Sequence, residues 1–112
     1  MQLQRKSVGD IVLLKVNGSV TFSDEHTLKS ALHRITTEGK KKIAVDCSRM
    51  DALNDNALSA FLKAYRTFKD GHVAFAGPNA HVRRVFQESH LDTLFEIHET
   101  IDDAVESLRH KD

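Results

Sequence analysis

The chain has 112 residues, room for one compact domain spanning residues 1–112, whose core would bury roughly two-thirds of the unfolded surface. Sixteen Lys and Arg balance sixteen Asp and Glu, so no excess charge recommends nucleic acid or an anionic membrane as a partner. No apolar run approaches the ~20 residues of a membrane span and the start, Met1 to Lys6, has no apolar leader, so the expectation is a cytoplasmic protein with no membrane insertion.

Residues 11–16 are Ile, Val and Leu broken only by Lys15, a strand signal. Gly9 and Asp10 before them predict a tight turn back to a shorter strand at residues 3–8, and Asn17-Gly18 is read as the strand's end. Ser23 or Asp24 is suited to cap the next segment, because a short side-chain oxygen accepts from the free N–H groups of a helix's first turn. Leu28, Ala31, Leu32 and Ile35 then recur at the spacing of one helical face, and Glu38-Gly39 stops them.

Residues 42–47 are mostly apolar in succession, as in a central strand covered on both faces. Residues 48–55 read as a polar connection. Leu58, Phe61, Leu62, Tyr65 and Phe68 mark a second helix, stopped by Asp70-Gly71. A strand follows at 73–76, then the turn Gly77-Pro78-Asn79, then a short helix marked by Val82, Val85 and Phe86. Residues 94–97 form a brief edge strand, and Ile101, Ala104, Val105 and Leu108 a last helix. The order β-β-α-β-α-β-α-β-α predicts an α/β fold: a four- to five-stranded mixed sheet, mostly parallel with one antiparallel strand from the first hairpin, and about four helices.

Several constellations read as structural. Cys47, the only cysteine, ends an apolar strand and behaves as a small buried hydrophobe. Among His26, His33, His72, His81, His90, His98 and His110 no pair has the i, i+4 spacing of a helical zinc site, and no cysteine joins them; no metal site is expected. The serines carry no nucleophile motif. Gly77-Pro78-Asn79 is a turn with Asn79 as a cap rather than a phosphate loop, since proline removes a donor. Lys40, Lys41 and Lys42, like Arg83 and Arg84, read as solvated surface. The sequence therefore predicts no enzyme and no cofactor.

The informative stretch runs from Val45 to Leu58. A buried strand leads out into polar residues, and these lead into a helix that opens Asn54-Asp55-Asn56. Strand C-terminal ends carry the binding sites of open α/β sheets. Asn54 or Asp55 is a good cap, and an acid near a helix N-terminus gains from the helix dipole.

Residues 43–62 resemble the signature of STAS domains of the anti-sigma-factor-antagonist type, in which a strand ending in Asp and a small residue leads through an apolar position into Asp-Ser-x-Gly-Leu. Asp46, Leu53 and Leu58 occupy matching positions. Residues 18–32 are similar to the family's glycine turn and first helix, residues 71–75 to its glycine and next strand, residues 79–86 to its third helix, and residues 91–104 to its final strand and helix. The resemblance implies a non-catalytic module that binds a protein: an anti-sigma factor such as a GHKL-type kinase, a related signalling protein or another STAS-containing protein. It implies a contact surface at Ser19, Thr21, Ser23, Ser48, Asn54, Asp55, Asn56, Ala57 and Leu58, with Leu58 as its apolar contact.

The chain departs from the family pattern at its switch. Asp55 stands at the position of the phosphoacceptor serine, Asn54 at that of the preceding aspartate, and Ala57 at that of the glycine; Thr21 replaces a frequent acid. The family's phosphorylation switch therefore has no acceptor at position 55, and neither Ser48 nor Ser59 is a convincing replacement. Asp55 either imitates the phosphorylated form or caps a helix that docks constitutively. The single charge, against about −1.5 to −2 on phosphoserine, favours the second. The alternatives from other classes are an accessory subunit of an ABC-type lipid transporter, as some stand-alone STAS domains are, and binding of a nucleotide or other small ligand at the same strand ends.

Overall fold

The computed structural model describes residues 1–68 and 71–111; Asp70, half of the expected stop of the second helix, lies outside them. Five strands form one sheet in the order β1-β2-β3-β4-β5. They are β1 (Gln2–Val8), β2 (Ile11–Val20), β3 (Lys42–Leu53), β4 (His72–Ala76) and β5 (Glu96–His98). β1 pairs with β2 antiparallel, and the remaining pairings are parallel. The helices are α1 (Glu25–Thr37), α2 (Asp55–Arg66), α3 (Ala80–Glu88) and α4 (Ile101–Arg109).

This topology dictates where the helices go. The connections β2–α1–β3, β3–α2–β4 and β4–α3–β5 all step the same way along the sheet. Crossovers of one hand that step one way must lie on one face. Val12, Leu14, Val16, Ile43, Val45, Val73 and Phe75 point to that face and share a core with Leu28 and Leu32 of α1, Phe61 and Tyr65 of α2, and Val82 and Phe86 of α3. α4 has no further strand to reach. It covers the opposite face, where Ala104, Val105 and Leu108 pack against Ile11, Ala44, Ala74 and Ala76. The alternation of strand side chains thus sorts large residues to one face and mostly small ones to the other.

Two strands run further than their sequence implies. β2 does not end at Asn17-Gly18 but continues to Val20, and the supposed polar connection 48–53 is the second half of β3. The pairing explains both. Lys15 pairs with Asp46 and Asn17 with Arg49, then Gly18 with Met50 and Val20 with Leu53. Each step spends three residues of β3 on two of β2, which is one extra residue, a bulge, at each place. Inward positions in this half of β3 are therefore Cys47, Met50 and Leu53, all buried, with exposed pairs between them. A spacing of three matches neither a strand nor a helix. Asp46 serves the first bulge, its carboxylate accepting the Ser48 N–H at 2.9 Å. Gly18, at φ +87°, takes the left-handed backbone that the irregular ladder requires.

Tyr65 stands edge-on to Phe61, with ring centres 4.9 Å apart. Its hydroxyl is buried and has no hydrogen-bond partner among the described residues. Leaving a buried hydroxyl unpaired costs about 1–3 kcal/mol, so Tyr65→Phe should raise stability by about 1 kcal/mol in urea unfolding; a loss would mean the hydroxyl is satisfied. Cys47 is buried nearby, and burial pushes its thiol up from the ordinary range, which keeps it from acting as a nucleophile.

At the far edge, Glu96 fastens β5 to the end of α4. Its carboxylate accepts from the Ser107 hydroxyl and lies 3.0 Å from Lys111 Nζ and 3.0 Å from His98 Nε2. Led by the Ser107 hydrogen bond, these partners lower its pKa to about 2. An unfolded glutamate titrates near 4.3, so the stabilisation is complete above that value and is lost as pH falls towards about 2. The side chain is over a third exposed, and solvent screening reduces the benefit to about 1 kcal/mol. Glu96→Gln should therefore lose about this much at pH 7 and flatten the acid limb of a stability–pH curve between about pH 5 and pH 2.

Candidate functional site

The bulged halves of β2 and β3 form an arm that runs past the end of β4, which stops at Ala76 opposite Asp46. Because Val20 pairs with Leu53, the chain leaves β2 at Thr21 beside the place where it leaves β3 at Asn54. The turn after β2 and the start of α2 thus become neighbours although they are distant in sequence.

Each exit is fixed by side-chain hydrogen bonds. After β2 the chain makes one 3-10 turn, Phe22–Asp24, before α1. The Asp24 carboxylate accepts from the Thr21 N–H at 2.7 Å and from the Thr21 hydroxyl at 3.1 Å. The Ser23 hydroxyl lies 2.9 Å from that of Thr21. The expected capping of α1 by Ser23 or Asp24 side chains is replaced by this arrangement: Asp24 occupies the cap position, but its carboxylate turns back to Thr21. After β3, Asn54 caps α2, its side-chain oxygen accepting the Ala57 N–H at 2.8 Å.

A third exit lies alongside. Asn79 caps α3 by accepting the Val82 N–H at 2.8 Å, as its place after Gly77-Pro78 implied. Its amide nitrogen also donates to the carbonyls of Met50 at 3.0 Å and Asp51 at 3.3 Å. One side chain thereby holds the arm of β3 against the start of α3. Asn79→Ala removes the cap and the two hydrogen bonds that tie α3 to the arm, and should cost about 2 kcal/mol. The matching Asn79→Asp retains the cap acceptor but loses the donor, so thermal unfolding of the two variants separates the contributions.

The residues selected from sequence divide into four groups. Thr21, Ser23, Asn54 and Asn56 are exposed and lie together at the paired exits, with Ser19 exposed on the arm just before them. Asp55 is the first residue of α2; its side chain lies outside the described part of the structure. Ser48 is exposed but sits at the base of the arm, beside Gly77, and at about 3.3 Å per residue it lies roughly 15–20 Å from Asn54. Ala57 and Leu58 are 0% and 7% exposed. They face the core, because the first turn of α2 already belongs to the stripe that continues through Phe61 and Tyr65. Leu58 is therefore a packing residue rather than a surface contact.

One exposed residue at this edge escaped the sequence reading. Phe22, between Thr21 and Ser23, is 70% exposed. It belongs to no periodic run, and its only signal is a large apolar residue between polar ones. Among the described residues no group of three His, Cys, Asp or Glu side chains is placed to hold a metal ion. What the edge does offer is hydroxyls, amides and an aromatic ring, a set suited to recognising another surface.

The sequence matches the STAS domain family over residues 2–104. The chain belongs to the STAS family. A relative from Thermotoga maritima, named as an anti-sigma factor antagonist, is 27% identical, with 95% of this chain and 96% of the relative covered. The crystal structure of a Thermotoga maritima anti-sigma factor antagonist superposes with a TM-score of 0.85 at 25% identity, over 96% of this chain and 95% of the other. The Bacillus cell fate determinant SpoIIAA, solved in its phosphorylated form, superposes at 0.71 and 17% identity over 96% of this chain and all of its own, a likeness of fold. The α/β architecture read from the sequence is thus that of an anti-sigma-factor-antagonist-like STAS domain. No helix among the described residues is long and apolar enough to cross a membrane.

Proposed function

We propose that this STAS domain is a non-catalytic cytoplasmic binding module that docks on an anti-sigma factor of the GHKL-kinase type through the paired exits of β2 and β3. The contact surface in this reading is Ser19, Thr21, Ser23, Asn54, Asp55 and Asn56. The observation that supports it is the Val20–Leu53 pairing, which brings two polar, hydrogen-bonded chain exits to one edge of the sheet.

Position 55 holds an aspartate where the family signature has its phosphoacceptor serine, so docking is constitutive rather than switched at this residue. A carboxylate carries one charge and two acceptor oxygens, against about −1.5 to −2 and three for phosphoserine, and is a poor copy of it. The test is calorimetric titration of each purified anti-sigma factor kinase of the source genome onto wild type, Asp55→Ala, Asp55→Ser and Asn56→Arg. Wild type, Asp55→Ala and Asp55→Ser should bind one kinase within about threefold of each other, and Asn56→Arg should weaken it more than about tenfold. Asp55→Ala binding more than about tenfold tighter than wild type would instead make Asp55 a fixed phosphate mimic.

A further inference from the structure

Single exposed apolar side chains are ordinary on protein surfaces, but Phe22 differs in rigidity and in place. Its turn is pinned on both sides of the ring, by the Thr21–Asp24 hydrogen bonds and by the Thr21–Ser23 hydroxyl pair. The backbone that carries it is therefore already ordered before any partner arrives, which lowers the entropic cost of binding. It also lies where the Val20–Leu53 pairing sets the turn beside Asn54 and Asn56. An exposed aromatic ring between Thr21 and Ser23, with Asn54 and Asn56 exposed at the adjoining exit, has the anatomy of an interface anchor with a polar rim.

Resting on the docking reading above, we propose that Phe22 is the anchor of this edge and inserts into an apolar pocket of the protein partner. The charged residues of the turn and of the start of α2 are Asp24, Glu25 and Asp55, and Glu25 is paired with Lys29 at 3.2 Å. The local sign is acidic. It fits a partner pocket with a basic rim and is unsuited to an anionic lipid surface.

The experiment is titration of the same purified kinases onto Phe22→Ala, Phe22→Leu and Asn56→Arg, with sedimentation of each protein alone. Because the ring is exposed, the Phe22 variants should keep the wild-type melting temperature. Phe22→Ala should weaken binding at least about thirtyfold and Phe22→Leu by less than about fivefold. If Phe22→Ala binds within about twofold while Asn56→Arg abolishes binding, the anchor is wrong and the docking reading stands. If no kinase binds, or neither substitution matters, the docking reading falls and takes the anchor with it. A wild-type self-association that Phe22→Ala removes would make a second copy the occupant and overturn the proposal.

Discussion

Phe75→Ala will destabilise the domain by about 4 kcal/mol, the middle of the range for removing a fully buried phenylalanine. Phe75 sits in the middle of β4 on the large-residue face and is completely buried. Its ring meets four others: Tyr65 at 5.3 Å, Phe95 at 5.5 Å, and Phe61 and Phe86 each at 5.6 Å between centres. These come from α2, α3 and the segment before β5, so a cavity at Phe75 loosens three elements at once. The neighbours cannot close it cheaply, since three of them are held by their own helices and interiors are packed to crystal density. Urea unfolding checks the value; a cost below about 2 kcal/mol would mean that the aromatic cluster collapses into the gap. Phe75→Leu keeps most of the volume and should lose clearly less.

Leu58→Asp will cost at least about 4 kcal/mol and should leave the chain largely unfolded. The substitution removes an apolar side chain from the core, about 2–5 kcal/mol for truncation alone. It then places a carboxylate where Leu58 packs, 7% exposed, and an unpaired charge there adds a further penalty. The favourable dipole at the start of α2 returns only about 0.3–1 kcal/mol. Any loss of partner binding in this variant is thus a loss of fold, which circular dichroism would show directly. A Leu58→Asp protein with native ellipticity and melting temperature would mean that Leu58 faces solvent after all.

The Leu58 result marks where sequence and family pattern pulled in different directions. The spacing Leu58, Phe61, Leu62, Tyr65 already placed Leu58 on the buried stripe of α2, whereas the resemblance to the antagonist signature drew it to the surface. The periodicity was the better guide. The same physics made most of the fold legible. Residues 11–16, 42–47 and 73–76 are mostly apolar in succession, and α1, α2 and α4 carry one-sided stripes, so element order and sheet type follow from them.

The arm was not legible. Two bulges put Cys47, Met50 and Leu53 three apart, and Gly18 looks like a terminator when it is a left-handed position within β2. Without the arm, the approach of Thr21 to Asn54 could not be read from sequence, nor could the separation of Ser48 from them. Asn79 was recognised as a cap, but its second pair of hydrogen bonds spans twenty-eight and twenty-nine residues, beyond the reach of any local pattern.

The unequal faces of the sheet bear on the order in which the domain can close. The large core is built from residues up to Leu91, with Phe95 and Ile97 packed at its margin, so it can close without α4 in place. With α4 undocked, the opposite face shows Ile11, Leu13 and the alanines at 44, 74 and 76, a surface with few large side chains for another chain to grip. The helix that covers the small-residue face is thus also the one whose undocking leaves the chain least adhesive.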